Sequence, residues 1–240
     1  MIEIKDAWKN FGEKVAVKNL SLSIPRGELF CLLGPNGAGK TTTMKMLCGL
    51  LRPTQGSMSV GGFDIVTQTA EVRKILGYIP DTPFLYERLT PVEFMEFIGD
   101  VYGFDRARVQ AEQDRWFKLL GLDEYRNVLI KDLSHGWRQR VVYASTFLHE
   151  PTVMLVDEPF IGLDPFSIRL IKNLLKEMTR NGMTIILTTH ILALAEDLAD
   201  RLGIIQRGEL VALGTLQELL AQGAKGGRLE DAFLSITGEI

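Results

Sequence analysis

Glu28-Leu29-Phe30-Cys31-Leu32-Leu33-Gly34-Pro35-Asn36-Gly37-Ala38-Gly39-Lys40-Thr41-Thr42 is the stretch from which the rest of the chain can be understood. Its first six residues are a short apolar run bounded by a turn signal, which predicts a strand buried on both faces. The spacing Gly34-x-x-x-x-Gly39-Lys40-Thr41 then matches a phosphate-binding loop, and Lys40 to Leu50 reads as the helix that should follow it. Glycines let the backbone curl until successive N–H groups converge on phosphate oxygens, and a helix N-terminus adds its dipole to that cradle. In this pattern Gly34, Pro35, Asn36, Gly37, Ala38 and Gly39 form the loop, with Thr42 just inside the helix. Lys40 reaches the outer phosphates of a nucleotide, and the Thr41 hydroxyl is a ligand for Mg2+.

Upstream, Ile2 and Ile4 and then Val15, Val17, Leu20, Leu22 and Ile24 alternate with polar residues, predicting half-buried antiparallel strands with turns at Gly12 and Asn19. Gly61-Gly62 marks another hairpin. The middle third changes character. Thr90-Pro91-Val92-Glu93 is a helix start with Thr90 as N-cap and Glu93 closing a capping box. A second helix is expected from near Asp105 to Gly121, and a third from Ser134 carrying Val141, Val142, Ser145 and Leu148.

The last third returns to strand and helix in alternation. Val153–Val156 and Thr184–Leu187 are the strands. Between them Asp164 and Pro165 open a helix whose Ile171, Leu174, Leu175 and Met178 share one face. Such alternation implies a mainly parallel sheet covered on both sides. The expected layout is a core of about 1–84 and 150–222 that includes an antiparallel part, a helical insert of about 85–149, and a tail of 223–240. In that tail Gly223 to Arg228 reads as a loop before a short helix.

Composition excludes several alternatives. The 240 residues carry a formal net charge of −3, so no global basic field points to nucleic acid. Glu3, Lys5, Asp6 and Lys9 interrupt any apolar leader, and no apolar run approaches the length of about 18 residues that spans a bilayer. A membrane role is therefore expected to come through partners. Cys31 and Cys48 are expected as two buried thiols, with a single bridge between them as the alternative.

Val153–Val156 ends in Asp157-Glu158. A carboxylate at the end of a buried strand beside a phosphate-binding loop is placed to hold Mg2+, and the next residue can aim at an attacking water as general base. Alone, such a pair would read as a solvated loop; the loop at 34–41 decides for the chemical reading.

Leu133-Ser134-His135-Gly136-Trp137, Asp157-Glu158-Pro159, Gly162-Leu163-Asp164-Pro165 and His190 follow the phosphate loop in the order and spacing of ABC-transporter nucleotide-binding subunits. The resemblance runs from Phe11 to the Arg207-Gly208-Glu209 turn and leans toward single-cassette bacterial exporter ATPases such as the Ecs-like group. It implies an α/β P-loop NTPase fold with an antiparallel β subdomain and a helical subdomain. It also implies ATP and Mg2+ as cofactors, and a protein working peripherally on the cytoplasmic face of the cell membrane. Its partners would be transmembrane transporter subunits and a second nucleotide-binding subunit, identical or not, with no nucleic acid.

Residue by residue, the resemblance places Ser134 and the Gly136 N–H on the γ-phosphate of nucleotide held by the opposite subunit, with a plain N-cap as the other reading of Ser134. Asp164 would bridge the two subunits, or simply cap its helix. His190 would contact γ-phosphate and orient Glu158 and water. Phe11 would stack on adenine, a core phenylalanine being its rival.

Three positions depart from the family pattern. His135 stands where Gly is usual and Trp137 where Gln is usual. Asp81, in Gly77-Tyr78-Ile79-Pro80-Asp81, stands where a Gln normally offers an uncharged oxygen to Mg2+. Asp81 either joins the metal shell with a charge or leaves it and caps its own loop. A soluble ABC-type ATPase acting on nucleic acid or ribosomes is the rival reading. It calls for a long coiled-coil insertion or two cassettes, and neither fits this chain. A guanine-nucleotide switch would need an Asn-Lys-x-Asp motif, which is missing.

Overall fold

The computed structural model describes residues 1–82, 84–222 and 228–238. β1 (Ile2–Phe11) and β2 (Lys14–Ile24) pair antiparallel around a turn at Gly12, whose φ of 59° suits glycine. Asn19 is not a turn. It lies within β2 at a φ of 47°, where the register against β1 slips between Leu20 and Val17, so its left-handed backbone serves a bulge. β3 (Leu29–Leu33) is buried along its whole length, as its unbroken apolar run requires. The following α1 (Lys40–Leu47) stops short of Leu50, because Gly49 turns left-handed and the Leu50 and Leu51 N–H groups bond back to the Lys45 carbonyl. β4 (Gln55–Val60) and β5 (Phe63–Asp64) form the hairpin at Gly61-Gly62.

After α2 (Thr69–Ile75) and β6 (Leu76–Ile79) come three helices packed on one another: α3 (Pro91–Tyr102), α4 (Arg106–Leu120) and α5 (His135–Phe147). The first of these is capped as its sequence predicts. The Thr90 N–H donates to Glu93 Oε2 at 2.8 Å, and the Glu93 N–H donates to Thr90 Oγ1 at 3.3 Å. Thr90→Ala deletes the hydroxyl half of this box and should lower the unfolding free energy by about 1 kcal/mol. Urea denaturation measures it, and an unchanged midpoint would mean that packing alone holds α3. Asp105 and Gly121 close α4 as expected.

The chain returns through β7 (Val153–Asp157), α6 (Pro165–Arg180), β8 (Thr184–Thr189), α7 (Leu192–Leu198), β9 (Arg201–Gln206) and β10 (Glu209–Gly214). It then adds α8 (Leu216–Gln222) and α9 (Leu229–Thr237). Of the loop expected at 223–228, residues 223–227 lie outside the described residues.

Two sheets result. One is antiparallel, in the order β2-β1-β4-β5; the other runs β10-β9-β3-β8-β7-β6 and is parallel except for β10. Side-chain alternation in β3 explains the layering. Leu29, Cys31 and Leu33 enter the core shared with α3–α7, whereas Phe30 and Leu32 enter the core shared with α1 and the antiparallel sheet. Cys31 and Cys48 are buried free thiols, and burial pushes both up from the usual thiol range. Among the described residues, no helix is long and apolar enough to cross a membrane.

Candidate functional site

The phosphate loop joins the C-terminal end of β3 to α1, at the sheet edge where parallel α/β folds gather ligands. Two of its glycines are fixed by space. A Cβ on Gly34 would stand 2.3 Å from the Ile205 carbonyl oxygen, and one on Gly39, at φ 111°, would stand 2.6 Å from that of Ala16. Gly39 caps α1 without a side chain, which leaves the first-turn N–H groups facing the loop. The Lys40 side chain is 5% exposed, and its Nζ donates to the Gly34 carbonyl at 2.7 Å and to the Pro35 carbonyl at 3.2 Å.

The same ammonium sits 3.2 Å from Glu158 Oε1. Glu158 is held by its backbone: at a left-handed φ of 46°, its N–H meets both the carbonyl and the hydroxyl of Thr188 at 3.1 Å. Its carboxylate receives His190 Nδ1 at 3.1 Å on each oxygen. Lys40, Glu158 and His190 thus form one cluster drawn from α1, the end of β7 and the end of β8.

Asp157 lies beneath them, fully buried. One of its oxygens, Oδ1, accepts from the Thr188 hydroxyl, and the other, Oδ2, has no protein partner. Burial raises its pKa above the ordinary aspartate value. Thr188 and Thr41 partly oppose that by favouring the charged form, and the charges of Asp81 and Glu158 add to the rise. Asp81 spends Oδ1 on the Thr82 N–H at 2.8 Å, so it does cap its loop, and it also lines the cleft.

An open cleft of about 460 Å3 runs from Phe11 and Lys14 along Asn36 to Thr42, and on to Asp81, Glu158 and Ile161. Phe11 is 48% exposed there and is not a core residue. Ser134 and Gly136 are not among the cleft's lining residues. They stand at the start of α5, where the Ser134 hydroxyl makes no capping bond. Asp164 caps α6, accepting from the Phe166 and Ser167 N–H groups at 2.9 and 3.0 Å.

Thr188 was not foreseen from the sequence. It stands two residues before His190, bonds the Asp157 carboxylate and the Glu158 N–H, and a polar threonine near the end of a buried strand was the available signal.

A Gly-rich loop between a buried parallel strand and a helix, with an antiparallel sheet and a helical layer added, defines a P-loop ATP-binding cassette. The chain belongs to the ABC transporter family, whose description matches residues 17–161, and within it to the ATP-binding subunits. It is 38% identical over 241 residues to the probable multidrug ABC transporter ATP-binding protein YbhF of Escherichia coli K12. That alignment covers 98% of this chain but 41% of YbhF, so the chain spans less than half of that relative. It is 33% identical to the ABC-type transporter ATP-binding protein EcsA of Bacillus subtilis, over 100% of this chain and 97% of that one.

A solved ATP-binding subunit of an ABC transporter superposes with a TM-score of 0.91 at 33% identity, covering 99% of both chains. A dimeric ATP-binding cassette in a post-hydrolysis state, bound to ADP and Pi, superposes at 0.81 with 26% identity, covering 90% of this chain and 98% of that one.

Proposed function

We propose that this chain hydrolyses ATP and that two such cassettes, closing on two nucleotides, drive export through separate transmembrane subunits. The observation that carries this reading is the Lys40–Glu158–His190 cluster: Lys40 and Glu158 line the cleft beside the phosphate loop, and His190 meets Glu158. An ammonium for phosphate charge, a carboxylate for the water proton and an imidazole to hold that carboxylate are the groups phosphoryl transfer to water needs. The protein would sit peripherally on the cytoplasmic face of the membrane.

Adenine lies against Phe11, and the loop N–H groups between Asn36 and Thr42 bind the phosphates. Thr41, Asp157 and Asp81 would hold Mg2+. The buried, unpartnered Asp157 Oδ2 beside the Thr41 hydroxyl fits such an ion, because Mg2+ usually takes one or two carboxylates together with phosphate oxygens. Held there, the ion would supply positive charge against the phosphates.

Glu158 orients water and takes its proton, and His190 fixes the carboxylate. Lys40 stabilises the charge that develops as the γ-phosphate departs. The α5 N-terminus stands apart from its own cleft, with the Ser134 hydroxyl uncommitted. It is therefore suited to the γ-phosphate of a facing cassette, with Gly136 offering its N–H and Asp164 at the junction. The helical layer α3–α5 then moves with closure and pushes the membrane subunits.

Asp81, whose Oδ1 caps the loop, would offer its carboxylate charge to the metal. Asp81→Asn should raise the Mg2+ concentration for half-maximal ATPase activity several-fold and leave the protein folded. An unchanged Mg2+ dependence would leave Asp81 with the cap alone. The whole reading is tested by capture from detergent-solubilised membranes: transporter membrane subunits should copurify and stimulate ATP hydrolysis. Ribosomal or DNA-repair proteins in their place would overturn it.

A further inference from the structure

Outside the cleft, the start of α5 and the segment before α6 meet at an exposed imidazole. His135 Nε2 lies 3.2 Å from the Ile161 carbonyl oxygen. A carbonyl only accepts, so Nε2 carries the proton in this bond. The ring rests over Gly162, where an added Cβ would stand 3.5 Å from Cδ2. Ile161 also forms part of the cleft wall, three residues after Glu158.

One further tie joins α5 to α6: Arg140 Nη2 donates to the Ser167 hydroxyl at 3.0 Å, on the first turn of α6. Of the two, only the His135 bond ends on a residue of the cleft.

Building on the two-cassette reading above, we propose that His135 is a positioning residue that couples the two nucleotide sites of a cassette pair. The α5 N-terminus meets the partner's triphosphate, whereas Ile161 walls this chain's own cleft. Phosphate contact that shifts the start of α5 carries the His135 ring with it, and the bond to the Ile161 carbonyl passes that shift to the wall beside Glu158. A glycine at position 135, which the family pattern usually has, offers no side chain for such a bond.

The test uses the full chain in a Glu158→Gln background, so that nucleotide is not consumed. ATP is titrated while bound nucleotide and dimer fraction are both measured. The parent variant should bind steeply, with a Hill slope approaching two, the number of sites. Adding His135→Ala should drop the slope toward one and raise half-saturating ATP roughly two- to tenfold, the worth of one hydrogen bond. His135→Gln, whose amide can donate to the same carbonyl, should restore the slope. A slope and midpoint indifferent to His135→Ala overturn the coupling, as does a failure of Gln to rescue. A parent variant that stays monomeric at saturating ATP overturns the two-cassette reading itself, and the coupling with it.

Discussion

Glu158→Gln should bind ATP and accumulate as a closed dimer while hydrolysing about 10²- to 10⁴-fold more slowly than the native chain, the usual contribution of a positioned general base. The substitution preserves shape, so the backbone bonds to Thr188 and the contact with His190 have no steric reason to change. What disappears is a carboxylate able to take a proton from water. The charge opposite Lys40 disappears too, so its ammonium, 3.2 Å away in the native protein, is freer to meet phosphate and nucleotide binding is not weakened. Single-turnover hydrolysis and gel filtration with ATP measure the two effects separately. Turnover within tenfold of native would remove Glu158 from the role of base and leave it as a partner for Lys40.

Much of this site was legible in the sequence, because most of it is local. The loop from Gly34 to Thr41 carries its chemistry in consecutive residues, and the Thr90 and Asp105 caps are patterns within one helical turn. The strand ends that carry Asp157, Glu158 and His190 could be placed from their apolar runs and turn residues. What could not be read was adjacency across the sheet. Thr188 meets Asp157 because β7 and β8 are parallel neighbours, with those two residues paired in register. Strand order and register are set by packing on both faces, which a linear pattern does not record.

The same limit hid the His135–Ile161 bond, which joins elements far apart in the chain. Where local readings failed, a backbone detail prevailed. Gly49 ended α1 early, and Asn19 proved to sit, left-handed, where the register of β2 against β1 slips by one residue. Phe11 and Asp81 were left with two readings each because exposure and second contacts are tertiary facts. Half-exposure at the cleft removes the core reading of Phe11, and Asp81 has an oxygen in its loop cap as well as a place on the cleft.

Lys40→Ala should have the opposite signature from Glu158→Gln: no ATP-driven dimer, and kcat/KM lowered by at least about 10³-fold. Two losses combine to give that figure. One charge-assisted hydrogen bond to phosphate is worth about 1.5–3 kcal/mol in binding, and loss of one donor to developing transition-state charge lowers kcat by about 10²–10³-fold. A third effect is internal to the protein. Lys40 and Glu158 are both nearly buried, at 5% and 9% side-chain exposure. Removing the ammonium leaves a carboxylate uncompensated at the very place where a triphosphate must come. The double variant Lys40→Ala/Glu158→Gln should therefore bind ATP more tightly than Lys40→Ala alone, although it lacks one more native group. Isothermal titration of the four proteins closes the cycle. If the two substitutions simply add, the ion pair has no part in setting nucleotide affinity, and Lys40 acts on phosphate alone.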